Sequence, residues 1–440
     1  MGLIRITSKF KIQGVSSWRI WEDDFMIDKI GIAFKEFYGE KPSIVVSAPG
    51  RLDFLNTHQD YKGLPVSAIG VNLRTYIALA PSNNGVMAYS ENLNAVDEFH
   101  PEEITLRGGK WFGDYIRAVF KVFTEEGYRI KGFKAYIASN IPIASGLASS
   151  AALEVAVAWG ISELNGLGLS RKDIAEYAFK AESKVMGIPC GRLDQYGSAF
   201  GGVTLIHTRP PYNVEELGFR EGVWLVVDSG IRHSTADIHP RVQGEIDRAL
   251  NELMSIVPPG LKSKLGYRYW EPRWEELTLD ELTPYLDNVN RTGARKIEFT
   301  IRMHSSTMLA VKALKGFKPT VGEVVEVLGS ELAEPEKVRS ILSSNTWRLE
   351  LIGLVMNHQH YLLSKLYDVS LPEIDRIVDE MNKLGALGAK LSGAGLGGSV
   401  IALCRDRDTA GKALKGVLDC CAPRGWIVEI DEGVKTHGDR

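Results

Sequence analysis

The sequence predicts an α+β protein in two halves, residues 1–205 and 206–440. At about 150 residues per domain, 440 residues make two domains or three. Short apolar runs closed by Gly or Pro read as strands, longer runs with a 3.6-residue period read as helices, and the two do not alternate in strict βα order. Two glycine-rich loops, one in each half, sit where such elements join.

Taken in order, residues 18–39 space their apolar positions like an amphipathic helix that stops at Gly39. Residues 43–50 (SIVVSAPG) read as a short buried strand running into a turn, and 75–81 and 133–139 as further strands. A helical pattern between the last two is closed by Gly127. Residues 149–166 form a strong helix of small and apolar residues. Ser170 and Asp173 have capping-box spacing and open a helix over 171–185, ended by Gly187. Strands return at GVTLIHT and GVWLVVDSG. Residues 240–300 are polar and helical, broken at Pro258-Pro259-Gly260. A clean amphipathic helix over 372–385 starts near Pro372 and stops at Gly385, strand 399–404 follows, and a last helix begins at Asp408.

With 52 basic and 55 acidic residues the net charge is −3, so nothing in the overall balance favours nucleic acid or an anionic membrane as partner. An apolar content of 44% with 24% charged residues excludes disorder and collagen. Four cysteines with no C-x-x-C pair do not make a disulfide framework, and Arg5, Lys9 and Lys11 interrupt any signal-peptide core, so a cytoplasmic protein with reduced thiols is expected. The uncharged stretch Ala135–Leu153 carries Asn140, Pro142 and four serines and is not a membrane span. His358 and His360 lie two apart on a helix, and His233 and His239 have no fitting partner, so no His/Cys metal site is expected.

PIASGLASSAA (142–152) follows a strand and opens a long helix, so free backbone N–H groups and the helix dipole point at whatever sits there. Ser145, Gly146 and Ala148 allow close backbone approach, and Ser149 and Ser150 add hydroxyls. That design suits nucleotide phosphates with a hydroxyl left for Mg²⁺; a Ser-capped helix packed on small residues is the plainer alternative. No G-x-x-x-x-G-K-[ST] occurs. SGAGLGGS (392–399) contains Gly393-x-Gly395-x-x-Gly398, but it lies after a helix and before a strand, the reverse of the dinucleotide fingerprint. A polar cluster in 47–63 holds Arg51, Asp53, Asn56, His58, Gln59 and Asp60 beyond a buried strand, and 180–202 places Glu182 late on a helix and Asp194 in a glycine-flanked loop.

Together these segments resemble the GHMP kinase superfamily, and within it the galactokinases. APGRLDFLNTHQDY (48–61) is similar to the galactokinase signature PGRVNLIGEHTDY, PIASGLASSAALEVA (142–156) to the family's phosphate loop, and GAKLSGAGLGGSVIAL (388–403) to its third motif, G-x-R-M-T-G-x-G-F-G-G. Flanking likeness runs through WFGDYIRAV (111–119), AESKVMGIPCGRLDQ (181–195) and 355–375, whereas 240–340 matches little. The resemblance implies an N-terminal half with a left-handed βαβ crossover, a ferredoxin-like C-terminal half and a cleft between them. It implies an ATP-dependent kinase acting on the anomeric hydroxyl of a galactose-like sugar, with only sugar and ATP as partners, as a monomer or homodimer. ATP phosphates would lie on Ala144, Ser145, Gly146, Leu147, Ala148, Ser149 and Ser150, and Mg²⁺ on Ser150 and Glu182. Asp194 corresponds to the family's catalytic aspartate and Arg51 to the arginine beside it.

Sugar binding falls by resemblance to Thr57, His58, Gln59 and Asp60. The family's Glu-His-Thr-Asp has become Thr-His-Gln-Asp, so the glutamate that accepts the carbon-6 hydroxyl is Thr57. Asp53 replaces an asparagine, and the family's sugar-contacting tyrosine falls near Ile238 or His239. A uronic acid, a pentose or an N-acetylhexosamine is therefore an alternative substrate, and a non-catalytic sugar sensor an alternative role.

Overall fold

The computed structural model describes residues 23–438 apart from 110, 144, 233 and 234 and the side chains of 235–237. Twelve strands among these residues form two sheets. They are β1 (Ile44–Leu55), β2 (Val66–Ser82), β3 (Val86–Ser90), β4 (Ala95–Phe99), β5 (Gly132–Ser139), β6 (Val203–Ile206), β7 (Val214–Glu216), β8 (Val223–Asp228), β9 (Gly388–Ser392), β10 (Ser399–Cys404), β11 (Arg424–Val428) and β12 (Lys435–His437). The first sheet runs β12-β1-β2-β5-β3-β4, with β6 on β2 and β7 on β6; the second runs β11-β8-β10-β9. All pairings are antiparallel except β3 with β5. Residue 205 lies inside β6, and β7 still belongs to the first sheet.

Side-chain alternation along β2 explains how the first sheet is covered. Tyr76 and Ala78 face helix α1 (Asp23–Tyr38) through Met26, Ile30 and Phe34. Ile77 and Leu79 face the opposite layer, made by α2 (Phe112–Glu125), α3 (Ser149–Leu164) and α4 (Arg171–Lys180). The helix expected over 18–39 is thus present from Asp23 and stops at Gly39 (φ 77°); residues 18–22 fall outside the described part. In the second sheet Leu225 and Val227 face helix Arg407–Cys420, while Trp224 and Val226 lie on the opposite face with Trp347–Lys365.

Two sequence expectations need correction. The strand expected to turn at Gly50 continues to Leu55. Its register against β2 shifts between Pro49 and Gly50 and again between Asp53 and Leu55, so Pro-Gly marks a bulge rather than a turn. The helix expected over 171–185 is α-helical only to Lys180; Ala181–Val185 is a π-turn, a widening that commonly accompanies functional positions. The Ser170–Asp173 capping box is present.

Arg74 on β2 is fully buried and binds both the start and the end of the fold. It donates to the Ser47 hydroxyl and carbonyl on β1, to Asp431 Oδ2 at 2.7 Å, and to the carbonyls of Glu432 and Gly433. β12 then pairs with β1, so residues 431–437 close the edge of the first sheet.

Asp228 ends β8 fully buried between two half-exposed arginines, Arg232 and Arg424, and also accepts the Gly230 N–H. Burial alone would raise its carboxyl, but the hydrogen bonds from Arg232, Gly230 and Arg424 prevail and hold it at about 2. Because the folded value is depressed, the stabilisation is complete above the unfolded value near pH 4 and is lost as pH falls toward 2. We expect Asp228→Asn to remove roughly 1–2 kcal/mol at neutral pH, the shift being discounted for the solvent-exposed guanidiniums, and to flatten the acid limb of a urea-unfolding series between pH 4 and 2. An unchanged acid limb would refute this assignment.

Candidate active site

The Pro49-Gly50 bulge presses β1 onto the 145–150 loop. A Cβ on Gly50 would lie 2.8 Å from the Leu147 carbonyl, and the Arg51 N–H donates to that oxygen at 3.1 Å. Gly146 (φ 74°) and Ala148 (φ 56°) take left-handed conformations that curl the loop into α3. The N-cap of α3 is Ala148, without a side-chain cap. Ser149 and Ser150 lie inside the helix, so the plainer reading of a Ser-capped helix fails and the first-turn N–H groups are left for a ligand. Ser145 turns away, donating to the Pro142 carbonyl at 2.6 Å, and Leu147 is buried. Ala144 lies outside the described residues.

Arg51 links this loop to Asp194. Its Nε and Nη2 donate to Asp194 Oδ1 at 2.9 and 2.7 Å, and its Nη1 donates to the Gly146 carbonyl at 2.6 Å. Arg51 is nearly buried, while the Asp194 side chain is 31% exposed and so open to the cleft. Asp194 sits in the first turn of the short helix α5 (Leu193–Phe200), not in an open loop.

Behind Asp194 lies a pocket of carboxylates. Ser150 Oγ reaches Glu182 Oε1 at 3.5 Å from the π-turn. Gln195 donates from Nε2 to Glu182 Oε2 at 2.5 Å and to buried Glu154 Oε2 at 3.2 Å. Burial, reinforced by the Asp194 charge, pushes Glu182 up to about 7. Burial and then Glu182 push Glu154 well above the carboxylate range. Glu154 Oε1 and Gln195 Oε1 have no hydrogen-bond partner in the structure. Such a concentration of acceptors is chemically suited to a cation shared with phosphate oxygens. Among the described residues no group of three His, Cys, Asp or Glu side chains could hold a metal by itself.

The 56–60 loop is strained: Asn56 and His58 have φ of 66° and 67°. The Asn56 amide holds it by donating to the Pro65 carbonyl at 2.5 Å. His58 is buried, and burial keeps its ring neutral. Nε2 lies 2.9 Å from the Ala394 carbonyl and must be the donor there, leaving Nδ1 to accept from Tyr61 OH at 3.3 Å. Gln59, fully buried, donates to the Thr300 carbonyl on helix Arg291–Leu314. Thr57 donates to Asp53 Oδ1 at 3.0 Å and accepts from Lys390 Nζ at 2.8 Å. Three of the four expected sugar ligands are thus engaged within the protein.

Asp60 differs. No side chain donates to it among the described residues, and burial together with Asp53 and Asp194 raises it to about 6. A Cβ on Gly191 would fall 1.7 Å from its Oδ2, which explains the glycine before Arg192-Leu193-Asp194. His239 joins this site, its ring centroid 5.3 Å from those of His58 and Tyr61 and its buried Nδ1 unpartnered, whereas Ile238 is core. Sequence reasoning missed Lys390, Glu154, Gln195 and Lys62. The last is fully buried, donates to Thr300 Oγ1 and lies 4.6 Å from the Tyr367 ring centre. The readable signal was a lysine inside an otherwise buried strand, at Lys390.

The GHMP kinases N terminal domain matches residues 114–202, the GHMP kinases C terminal domain 345–422, and the galactokinase galactose-binding signature 32–81. These matches and the two-sheet fold define a GHMP kinase, an ATP-dependent phosphotransferase. A galactokinase of Thermococcus kodakarensis is 31% identical over 361 residues, covering 81% of this chain and 88% of that protein. A galactokinase of Thermotoga maritima is 29% identical over 408 residues, covering 89% and 99%. The crystal structure of Lactococcus lactis galactokinase complexed with galactose superposes with a TM-score of 0.74 at 23% identity, covering 93% and 99%; Methanococcus jannaschii mevalonate kinase gives 0.60 at 19%, covering 88% and 98%. The chain belongs to the galactokinase family and is an ATP-dependent sugar kinase.

Proposed function

We propose that this kinase transfers the γ-phosphoryl group of ATP to the anomeric hydroxyl of galactose, releasing the sugar 1-phosphate and ADP. The observation that carries the reading is Arg51, which holds Asp194 with two hydrogen bonds and the phosphate loop with a third. Asp194 accepts the proton of the attacking hydroxyl and Arg51 steadies the charge that develops in transfer. The uncapped first turn of α3 receives the phosphates, and the Asp60 carboxylate, which receives no side-chain donor within the protein, accepts from sugar hydroxyls. Phosphoryl transfer asks chiefly for positioning and charge neutralisation, and these residues supply both.

Ser150 and Glu182 are assigned to Mg²⁺, which when bound neutralises phosphate charge. Two oxygen ligands with the remainder from ATP and water suit this ion. We expect Glu182→Gln to raise the Mg²⁺ concentration for half-maximal activity by about tenfold or more and Ser150→Ala by less, with a parallel loss of Mg²⁺-dependent ATP affinity in calorimetry. Equal Mg²⁺ curves for wild type and both variants would remove the assignment. We place the division between the halves at 217–222, past β7, rather than at 205, and the enzyme in the cytosol as a monomer or homodimer.

A coupled ADP assay over galactose, galacturonate, arabinose and N-acetylgalactosamine tests the substrate, with the highest kcat/KM expected for galactose. Thr57 supports a second reading, a sugar that differs at carbon 6, because its hydroxyl is already engaged. Higher kcat/KM for another sugar would establish that reading. Binding without turnover would make the protein a sensor.

A further inference from the structure

We propose that Asp53, Thr57 and Lys390 form a buried latch that fixes the 393–398 glycine loop against the sugar loop, and that Thr57 serves as its relay rather than as a sugar ligand. The proposal deepens the sugar-kinase reading and rests on it.

All three side chains are buried, and they come from opposite halves: Asp53 and Thr57 from the end of β1 and the loop after it, Lys390 from β9. Lys390 Nζ donates to Thr57 Oγ1 at 2.8 Å and to the Asp53 carbonyl at 3.1 Å. The Thr57 hydroxyl passes its own hydrogen to Asp53 Oδ1 at 3.0 Å. No direct Lys390–Asp53 carboxylate pair is formed, so the hydroxyl is the connection between ammonium and carboxylate. A valine here would leave both charged groups short of a partner in a dry site, where that is costly.

The other carboxylate oxygen does the positioning. Asp53 Oδ2 accepts the Gly393 N–H at 3.1 Å, and the Ser392 hydroxyl lies 3.3 Å from the Asp53 N–H. One residue further along, the Ala394 carbonyl accepts from His58. The first half of the glycine loop is therefore held from both ends of the sugar loop. Its far end is tied elsewhere, through Ser399, whose hydroxyl donates to the Ser145 carbonyl of the phosphate loop. Loosening the latch should disturb the sugar before it disturbs ATP.

The test is Thr57→Val against Thr57→Ser, each assayed with galactose and with 6-deoxygalactose. Thr57→Val should raise KM for both sugars by the same factor, about tenfold, with KM for ATP changed less than twofold; Thr57→Ser should stay within twofold of wild type throughout. An effect that vanishes on the 6-deoxy sugar would show Thr57 touching carbon 6 and would overturn the latch. So would an unchanged sugar KM, or a loss confined to kcat. Thermal unfolding of Asp53→Asn, Lys390→Met and the double variant gives a readout without substrate: the double should lose clearly less than the sum of the singles. Additive losses would refute the coupling. If no sugar is turned over, the kinase reading fails while this cycle still decides the latch.

Discussion

Asp194→Asn is expected to lower kcat on the order of 10²-fold or more while ATP binding stays near wild type. A positioned proton acceptor contributes on that scale in general base catalysis. Asparagine keeps the volume and one acceptor oxygen, so both Arg51 bonds to that oxygen have a partner and the local fold is retained. What is lost is the negative charge that we propose draws the hydroxyl proton. Steady-state kinetics beside calorimetric ATP titration separates the two effects. Turnover within a few-fold of wild type would remove Asp194 from the reaction.

Arg51→Met should be at least as damaging, with kcat lower by roughly 10²–10³-fold and both substrate KM values raised. The substitution keeps an unbranched stem but breaks all three hydrogen bonds, leaving Asp194 beside Glu182 and Glu154 without its cation and the Gly146 carbonyl without its donor. Arg51→Lys should recover little, because one ammonium cannot replace a planar fork that spans a carboxylate and a loop carbonyl. Since Arg51 and Asp194 act as a unit, the double variant Arg51→Met/Asp194→Asn should lose far less than the product of the single losses. Multiplying losses would mean that the two side chains contribute independently.

Much of this site was legible because it is written in residues with narrow backbone chemistry. Gly146 and the small residues around it announce a backbone that something approaches closely, and they form the left-handed curl that leads into the uncapped start of α3. The ends of elements were less legible. Pro49-Gly50 obeys the turn rule, yet β2 pairs on both sides of it, and the bulge depends on a partner strand that no local pattern reveals. The π-turn at 181–185 likewise has no local sign. The four residues 57–60 were read as one binding group from their place in a motif. Their hydrogen bonds divide them, because Lys390 and Thr300, which engage Thr57 and Gln59, are hundreds of positions away. The polar 240–300 stretch could be read as helical, but not as the support of the 56–62 loop that Thr300 makes it.

The buried guanidinium of Arg74 sets a timetable for the nascent polypeptide. Its partner Asp431 lies 357 residues later. At about 5–20 residues per second the ribosome needs roughly 20–70 s to deliver that partner. During that interval Arg74 lacks its ion-pair partner and β1 keeps an open strand edge, both of which invite chaperone binding. The amino-terminal half is therefore expected to be a client, not a free-standing folding unit, until translation has passed residue 437.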